Sequence, residues 1–146
     1  MLINTKFLGN IEIEEKNIIS FEHGLPGFNT LHDFALLPVE GNVALNYLQS
    51  IKQTNICFIL MNPFLIIEDY EINISEESVA DLEIEKPEDT CLYSTLTITE
   101  NIKDITANLA APIVINTVNN KAVQEILNDS RYDIKYKLYR EEWFNC

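Results

Sequence analysis

Residues able to carry catalysis or to bind metals are few in this chain of 146 residues. Its two histidines, His23 and His32, do not neighbour a serine or cysteine that they could activate as a nucleophile. His23, His32 and Asp33 are also spaced unlike the compact ligand pairs that mark zinc sites, so we predict no metal and no cofactor. The sequence indicates that the chain is not an enzyme.

The paired carboxylates and the glycine-containing bend of this chain give no active-site signature either. Glu14-Glu15, Glu76-Glu77 and Glu141-Glu142 are paired carboxylates. Neighbouring residues on a strand face opposite ways, whereas acid–base catalysis needs two converging groups. The sequence Gly24-Leu25-Pro26-Gly27 lacks the spacing and the lysine of a phosphate-binding loop. We therefore predict that the paired carboxylates lie on solvated surfaces.

The chain has three cysteines, Cys57, Cys91 and Cys146. An odd number at wide spacing is typical of free thiols in a reducing compartment. The longest apolar run, residues 56–67, contains Asn62 and Pro63 and is shorter than the roughly 20 residues that span a bilayer. Residues 1–10 lack the charged and apolar regions of a secretory signal. We expect a cytoplasmic protein that does not bind membranes.

Charge distinguishes between possible partners. The net charge of −13 argues against a nucleic-acid surface, because phosphate binding needs basic groups. Residues 68–89, the acidic window, hold ten carboxylates and the single cation Lys86. Such a patch either serves solubility alone or steers a basic protein partner, for which apolar anchors supply the affinity. Candidate anchors are Leu25, Phe28, Tyr70 and Ile72.

Residues 131–140, the basic segment, mix four cations with three tyrosines and superficially resemble a nucleic-acid-binding stripe. Cations on an edge strand also prevent two sheets from pairing edge to edge. We prefer this second interpretation because the rest of the protein is strongly negative, and we predict no direct contact with nucleic acid.

Most of the chain alternates apolar and polar residues with the period of half-buried strands. Residues 11–13 and 18–22 are predicted to form a first hairpin. Residues 34–40 and 43–50 are predicted to form a second, joined by a primed turn at Gly41-Asn42.

One helix is predicted at residues 76–82, where Ser75 can cap the first turn. Residues 121–127 suit either a helix or a strand that pairs with residues 113–118, and Asn119-Asn120 favours the strand. Further strands are predicted at residues 55–61, which should be buried on both faces, and at residues 90–99, 113–118 and 134–139. The predicted fold class is mainly β, a small antiparallel β-barrel-like single domain over residues 1–146 with one or two short helices.

Residues 21–28 form an unusually determined bend, because they contain two of the four glycines and one of the five prolines. Pro26 fixes its own φ, and the glycines can take left-handed values. Phe21 and Phe28 can anchor both ends in a core, which leaves Leu25 and Pro26 on an apolar tip. The bend is either a corner between two strands or a surface presented to a partner.

Three motifs follow one another along the chain. They are Gly24-Leu25-Pro26-Gly27-Phe28, Leu48-Gln49-Ser50 and Asn108-Leu109-Ala110-Ala111-Pro112-Ile113-Val114-Ile115-Asn116. In this order and spacing they resemble the flagellar assembly factor family FliW. The similarity extends over residues 7–138, and Gln124 and Tyr132 also match. Residues 76–89 and residues 141–146 match no motif of that family.

The resemblance implies a non-enzymatic bacterial regulator with a small β-barrel-like fold and two alternative partners. Such a protein binds CsrA, an RNA-binding translational repressor, and thereby weakens repression of flagellin synthesis. Newly made flagellin then binds the regulator and titrates it away from CsrA.

The residues proposed to bind a partner include the motif positions and two residues of the acidic window. They are Leu25, Pro26, Phe28, Gln49, Ser50, Tyr70, Glu71, Asn108, Pro112 and Asn116, and the carboxylates proposed for electrostatic steering are Glu83, Glu85 and Glu88. The alternative function, based on His23, His32 and the bend, is a small β-barrel metabolite-binding protein or enzyme.

Overall fold

The computed structural model describes residues 1–139, in which the chain forms eleven strands, one α-helix and four short 3-10 helices. The strands are β1 (Leu2–Thr5), β2 (Gly9–Glu12), β3 (Ile18–Ser20), β4 (Asp33–Val39), β5 (Asn42–Ser50), β6 (Cys57–Met61), β7 (Thr90–Thr97), β8 (Thr106–Ala107), β9 (Ile113–Asn116), β10 (Lys121–Gln124) and β11 (Tyr136–Lys137). The helix α1 spans Glu76–Leu82, and the 3-10 helices span Glu15–Asn17, Pro63–Leu65, Pro87–Asp89 and Ile102–Asp104. No helix within residues 1–139 is long and apolar enough to cross a membrane. The predictions for Glu141-Glu142 and Cys146 lie outside the described residues.

Seven strands close into a ring, in the order β7-β6-β5-β4-β3-β10-β9 and back to β7. All neighbours are antiparallel except β3 and β10, which run parallel and meet at a single residue pair, Ser20 and Lys121. Strands β8 and β11 extend the sheet from β7, and β1 and β2 form a separate hairpin. The predicted fold class, a mainly β, barrel-like domain with a short helix, is confirmed.

The β4–β5 hairpin forms as predicted, but its turn does not. Asn42 already belongs to β5, so the connection is Glu40-Gly41. Of these two residues only Gly41 has a positive φ, 81°, whereas a primed turn needs a positive φ at its first central residue. The prediction of a primed turn at Gly41-Asn42 is wrong.

The predicted first hairpin is also wrong. Strand β2 pairs with β1, and β3 pairs with β4, because the 3-10 helix Glu15–Asn17 turns the chain away between β2 and β3. The missed strand β1 is held to β2 through Thr5, whose Oγ1 donates to Gly9 O and accepts from Leu8 N–H, each at 2.8 Å. This turn is built by a side chain, so the alternation of apolar residues did not reveal it.

A single apolar cluster fills the ring. Its buried members are Ile19, Phe21, Leu25, Leu31, Phe34, Leu48, Leu60, Ile113, Ile115 and Ala122. Phe21 and Phe34 pack edge to face with ring centres 5.4 Å apart, and each fully buried Phe, Leu or Ile contributes about 1.5–3 kcal/mol to stability. The centre of the barrel is therefore a packed core.

The later elements follow their predictions more closely. Helix α1 has the predicted bounds, and Ser75 Oγ accepts a hydrogen bond from Ser78 N–H at 3.1 Å. Strand β10 pairs with β9, as preferred over a helix, and β11 lies at the edge of the sheet. Strand β6 is central, but only Leu60 in it is fully buried, because a closed ring has one inner face. The prediction that this strand is buried on both faces is wrong.

Candidate protein-binding surface

The bend at residues 21–28 is a tight turn centred on Pro26-Gly27. Phe28 N–H donates to Leu25 O at 2.7 Å, and Gly27 has a φ of 83°, as in a type II turn with proline followed by glycine. Pro26 is exposed and Phe28 is half-buried. Leu25 is only 4% exposed and belongs to the core cluster, so its predicted place on an exposed apolar tip is wrong.

Gln49 and Ser50 lie inside the protein. The Gln49 side chain, 1% exposed, accepts from Lys6 N–H at 2.9 Å and donates to three backbone carbonyls. These belong to Ser50 at 3.0 Å, Thr54 at 2.9 Å and Ile56 at 3.2 Å. Gln49 therefore fastens the loop after β5 and the turn after β1 to the barrel, a role that needs no partner.

Asn108, Pro112 and Asn116 also shape the backbone. Asn108 Oδ1 accepts from the N–H groups two and three residues further on, at 3.1 and 3.0 Å. Pro112 and Asn116 are buried, and Asn116 Nδ2 donates to Leu82 O at 2.8 Å, where α1 ends. The proposed binding role of these residues stays a prediction, and the structure gives Asn108 and Asn116 a clear conformational role.

Tyr70 and Glu71 differ in exposure although they are adjacent. Tyr70 is 4% exposed, its hydroxyl donates to Leu109 O at 2.6 Å, and its ring packs on Tyr132 with centres 4.6 Å apart. Burial raises the pKa of Tyr70 well above its usual value, with Tyr132 and Asp129 adding to the effect. Tyr70 is therefore largely buried, although it is one of the residues that line the groove described next, and its role as an anchor stays a prediction. The Glu71 side chain is exposed.

A groove of about 590 Å³ opens within the acidic window, and we call it the acidic groove. Its apolar lining residues are Phe64, Ile72, Ile74, Val79, Ile84, Pro87 and Leu92. Its charged lining residues are Glu71, Glu85 and Lys86. The groove offers apolar contacts flanked by two carboxylates, Glu71 and Glu85, with Lys86 as the cation in its lining. Apolar contacts beside an excess of negative charge are the combination expected of a surface for a basic protein partner.

Helix α1, which forms one wall of this groove, is fixed to the barrel from both ends. At its start, Glu125 is 7% exposed and accepts from Ser75 N–H at 2.8 Å and from the Ser78 hydroxyl. At its end, Glu83 turns the chain with a φ of 56°, and Asn116 binds the last helical carbonyl. Sequence reasoning missed Glu125, because it is distant in sequence from the helix that it holds.

The three carboxylates proposed for steering have different surroundings. Glu83 accepts a hydrogen bond from Lys121 Nζ at 2.8 Å, which lowers the pKa of Glu83 and raises that of Lys121. Glu85 lines the acidic groove, and Glu88 is exposed on the 3-10 helix that follows. Glu83 is therefore partly neutralised, and Glu71 Oε2 lies 4.0 Å from Arg131 Nη1. Glu85 and Glu88 therefore supply most of the charge that these carboxylates offer to a partner.

A second groove of about 360 Å³ is almost entirely apolar. It is lined mainly by Ala44, Leu45, Met61, Leu65, Ile66, Leu96, Ile98, Ile102, Ile105 and Leu138. Leu65, Ile98 and Ile102 are more than half exposed. Sequence reasoning did not find this groove because its residues come from several separate strands and loops.

The two histidines on which the enzyme alternative rested each lie beside a different group. His32 Nδ1 lies 2.9 Å from Phe21 O, and His23 Nε2 lies 3.4 Å from Asp81 Oδ2. Burial raises the pKa of the Cys57 thiol to about 11, with Lys6 opposing the shift, which makes it a poor nucleophile near neutral pH.

Comparison with known proteins decides the family. A family described as FliW protein matches residues 2–138. The chain belongs to the FliW family. The flagellar assembly factor FliW of Clostridium kluyveri (strain ATCC 8527) is 44% identical over 97% of this chain and 98% of its own length. That of Clostridium botulinum (strain Langeland) is 42% identical over 97% of this chain and 99% of its own length.

A crystal structure described as that of the flagellar assembly factor FliW has the same fold. It matches with a TM-score of 0.90 and 39% identity over 97% of this chain and 99% of that chain. These relatives are flagellar assembly factors.

Proposed function

We propose that this FliW family member is a cytoplasmic flagellar assembly factor that works by binding proteins. In one state it binds CsrA and relieves translational repression of flagellin, and in the other it binds flagellin itself. It needs no cofactor and does not bind nucleic acid. The proposal is supported by family membership, by the resemblance of the three motifs and by the net charge of −13.

The observation that carries the CsrA part of this proposal is the acidic groove. A protein that binds RNA presents basic residues for the phosphates, so its surroundings are positive. The acidic groove sets Glu71 and Glu85 beside Ile72, Ile84 and Val79. The carboxylates would speed the encounter, and the apolar side chains would supply contact area once water is excluded.

The first experiment measures binding to each partner. The purified chain is titrated with CsrA and, separately, with flagellin by isothermal calorimetry, and complexes are checked by gel filtration. We expect a complex with each protein at micromolar concentration. Failure to bind either protein would refute the proposal, and retention of RNA by the chain itself at low salt would refute the claim that it does not bind nucleic acid.

A second experiment tests whether the acidic groove steers CsrA. Replacing Glu71, Glu85 and Glu88 with Lys changes the net charge from −13 to −7. We expect the association rate at low salt to fall by about tenfold or more, and the difference to shrink as salt screens charge over shorter distances.

The matched control places the same three substitutions at exposed carboxylates outside the acidic window. Glu15, Glu40 and Glu100 are exposed, and their replacement by Lys gives the same net charge of −7. If this control slows association as much as the groove variant does, total charge and not the groove is responsible. If neither variant changes the rate, the acidic window serves solubility alone.

A further inference from the structure

We propose that Glu22, His23 and Asp81 form a binding site for one divalent transition-metal ion such as Zn²⁺. The three side chains offer one imidazole nitrogen and two carboxylate oxygens, and these donor atoms lie within 4.8 Å of one another. Imidazole and carboxylate are among the ligands that zinc takes in proteins, and three protein ligands with a fourth, open position are typical of accessible zinc sites.

The separation of the donor atoms fits such an ion. Zinc lies about 2.0–2.1 Å from nitrogen and oxygen ligands, so two ligands at the tetrahedral angle are about 3.3 Å apart. His23 Nε2 and Asp81 Oδ2 are 3.4 Å apart. The Glu22 carboxylate is exposed, and its donor oxygen lies within 4.8 Å of both other donor atoms.

Both sides of the site are held by the fold. On one side, Glu22 and His23 lie in a turn that is closed by a 3.0 Å hydrogen bond from Gly24 N–H to Phe21 O, and Phe21 is fully buried. On the other side, Asp81 belongs to α1, which Glu125 fixes to the barrel. Little reorganisation is therefore needed on binding, a property that favours affinity.

The site opens into a cavity of about 200 Å³ and remains accessible. Besides the three ligands, the cavity is lined by Ser20, Leu82, Lys121, Ala122 and Val123. Lys121 is the one cation in this lining, and its Nζ is engaged by Glu83 at 2.8 Å. The His23 and Asp81 side chains are 66% and 36% exposed, so an ion can enter from solvent.

The ligands belong to two segments that are far apart in sequence, the bend at residues 21–28 and α1. An ion bound here would cross-link them without touching the acidic groove residues Glu71 and Glu85. We therefore expect the bound ion to stabilise the folded chain, because it binds the native arrangement and not the unfolded one.

The test measures metal binding by the chain in a background in which Cys57, whose burial raises the pKa of its thiol, is the one remaining cysteine. Cys91 and Cys146 are replaced by Ser, and the protein is titrated with ZnCl₂ by calorimetry while its melting temperature is followed. CoCl₂ provides a second readout, since tetrahedral Co²⁺ absorbs visible light. We expect one ion per chain and a raised melting temperature, with binding that persists in millimolar MgCl₂ because Mg²⁺ prefers an octahedron of oxygen ligands.

The variants H23A and D81N should each weaken Zn²⁺ binding at least tenfold and leave the circular dichroism spectrum unchanged, since both side chains are on the surface. H32A is the matched control for the loss of an exposed histidine, and E77Q is the control for the loss of a carboxylate on α1. The proposal is overturned if H23A binds Zn²⁺ as the parent does, or if H32A or E77Q weakens binding equally. It is also overturned if the parent binds no ion at micromolar concentration.

Discussion

Gln49 provides the sharpest test of whether a family motif is kept for folding or for binding. The sequence suggested that it contacts a partner, and the structure buries it with all its polar atoms engaged by the backbone. Replacing Gln49 with Met keeps the length and apolar stem of the side chain and removes its hydrogen bonds. This substitution separates the two roles because a buried Met still fills the space.

The expected loss of stability follows from the groups left without a partner. The bond to Ser50 O is fully buried, and leaving such a carbonyl unsatisfied costs about 1–3 kcal/mol. The bond from Lys6 N–H is partly buried and contributes about 0.5–1.5 kcal/mol. The amide has two N–H groups, so the second one is shared between Thr54 O and Ile56 O and contributes about as much again. We expect Q49M to lower the free energy of unfolding by roughly 2–6 kcal/mol, a large part of the about 5–15 kcal/mol of a typical domain.

Urea denaturation followed by circular dichroism measures this loss, which corresponds to a fall in melting temperature of roughly 10 °C or more. The matched control is Q53M, since Gln53 is exposed in the adjacent loop and should change stability by less than about 0.5 kcal/mol. A loss below 1 kcal/mol for Q49M would refute the structural role. If Q49M also bound CsrA or flagellin much more weakly while remaining fully folded, a direct contact would be indicated instead.

Three further substitutions or reactions test other parts of the structure. G24A should lower the free energy of unfolding by more than about 2 kcal/mol in urea denaturation, because the added Cβ would lie 2.6 Å from Asn29 Cα at a φ of +67°. G27A has open space around its Cβ and should cost only about 1–2 kcal/mol of left-handed backbone strain. Equal losses in the two variants would contradict this reasoning. S94A should be neutral or stabilising, because the Ser94 hydroxyl is the one buried side-chain polar atom without a partner in residues 1–139; a loss above 1 kcal/mol would show a missed hydrogen bond. Cys57 should react with a thiol reagent at pH 8 about a hundred times more slowly than an unperturbed thiol of pKa 9.0, because a pKa of about 11 leaves a hundredfold less thiolate. The rate is measured in a variant whose other cysteines are Ser, and a normal rate there would contradict the raised pKa.

Helices and hairpins were predictable from the sequence wherever the residues that determine them lie within the same short segment. Helix α1 has a capping serine before it and acidic residues in its first turn, and both act within a few residues. The β9–β10 hairpin also followed from alternation and turn residues, whereas for β4–β5 the alternation predicted the pairing and the predicted turn was wrong. The β1–β2 hairpin did not, because the Thr5 side chain builds its turn and residues 15–17 then redirect the chain.

Contacts between distant segments were not predictable from a single sequence. The ring closes through one parallel pair between β3 and β10, about a hundred residues apart. Glu125 reaches α1 across 50 residues, and Asp81 meets His23 across a similar distance. The expectation of no metal site considered only neighbours of the histidines in sequence, so it did not include Asp81.

Motif residues that hydrogen-bond to the backbone and charged residues that face solvent have different roles. Gln49, Asn108 and Asn116 satisfy backbone groups in the interior, so substitutions there should act first on stability and only through it on function. Glu71 and Glu85 satisfy no such demand, and reversing their charge should leave the fold intact. A loss of partner binding can therefore be assigned to the surface only when substitution of Glu71 or Glu85 causes it and the melting temperature is unchanged. For this reason the groove variant and Q49M must be measured side by side.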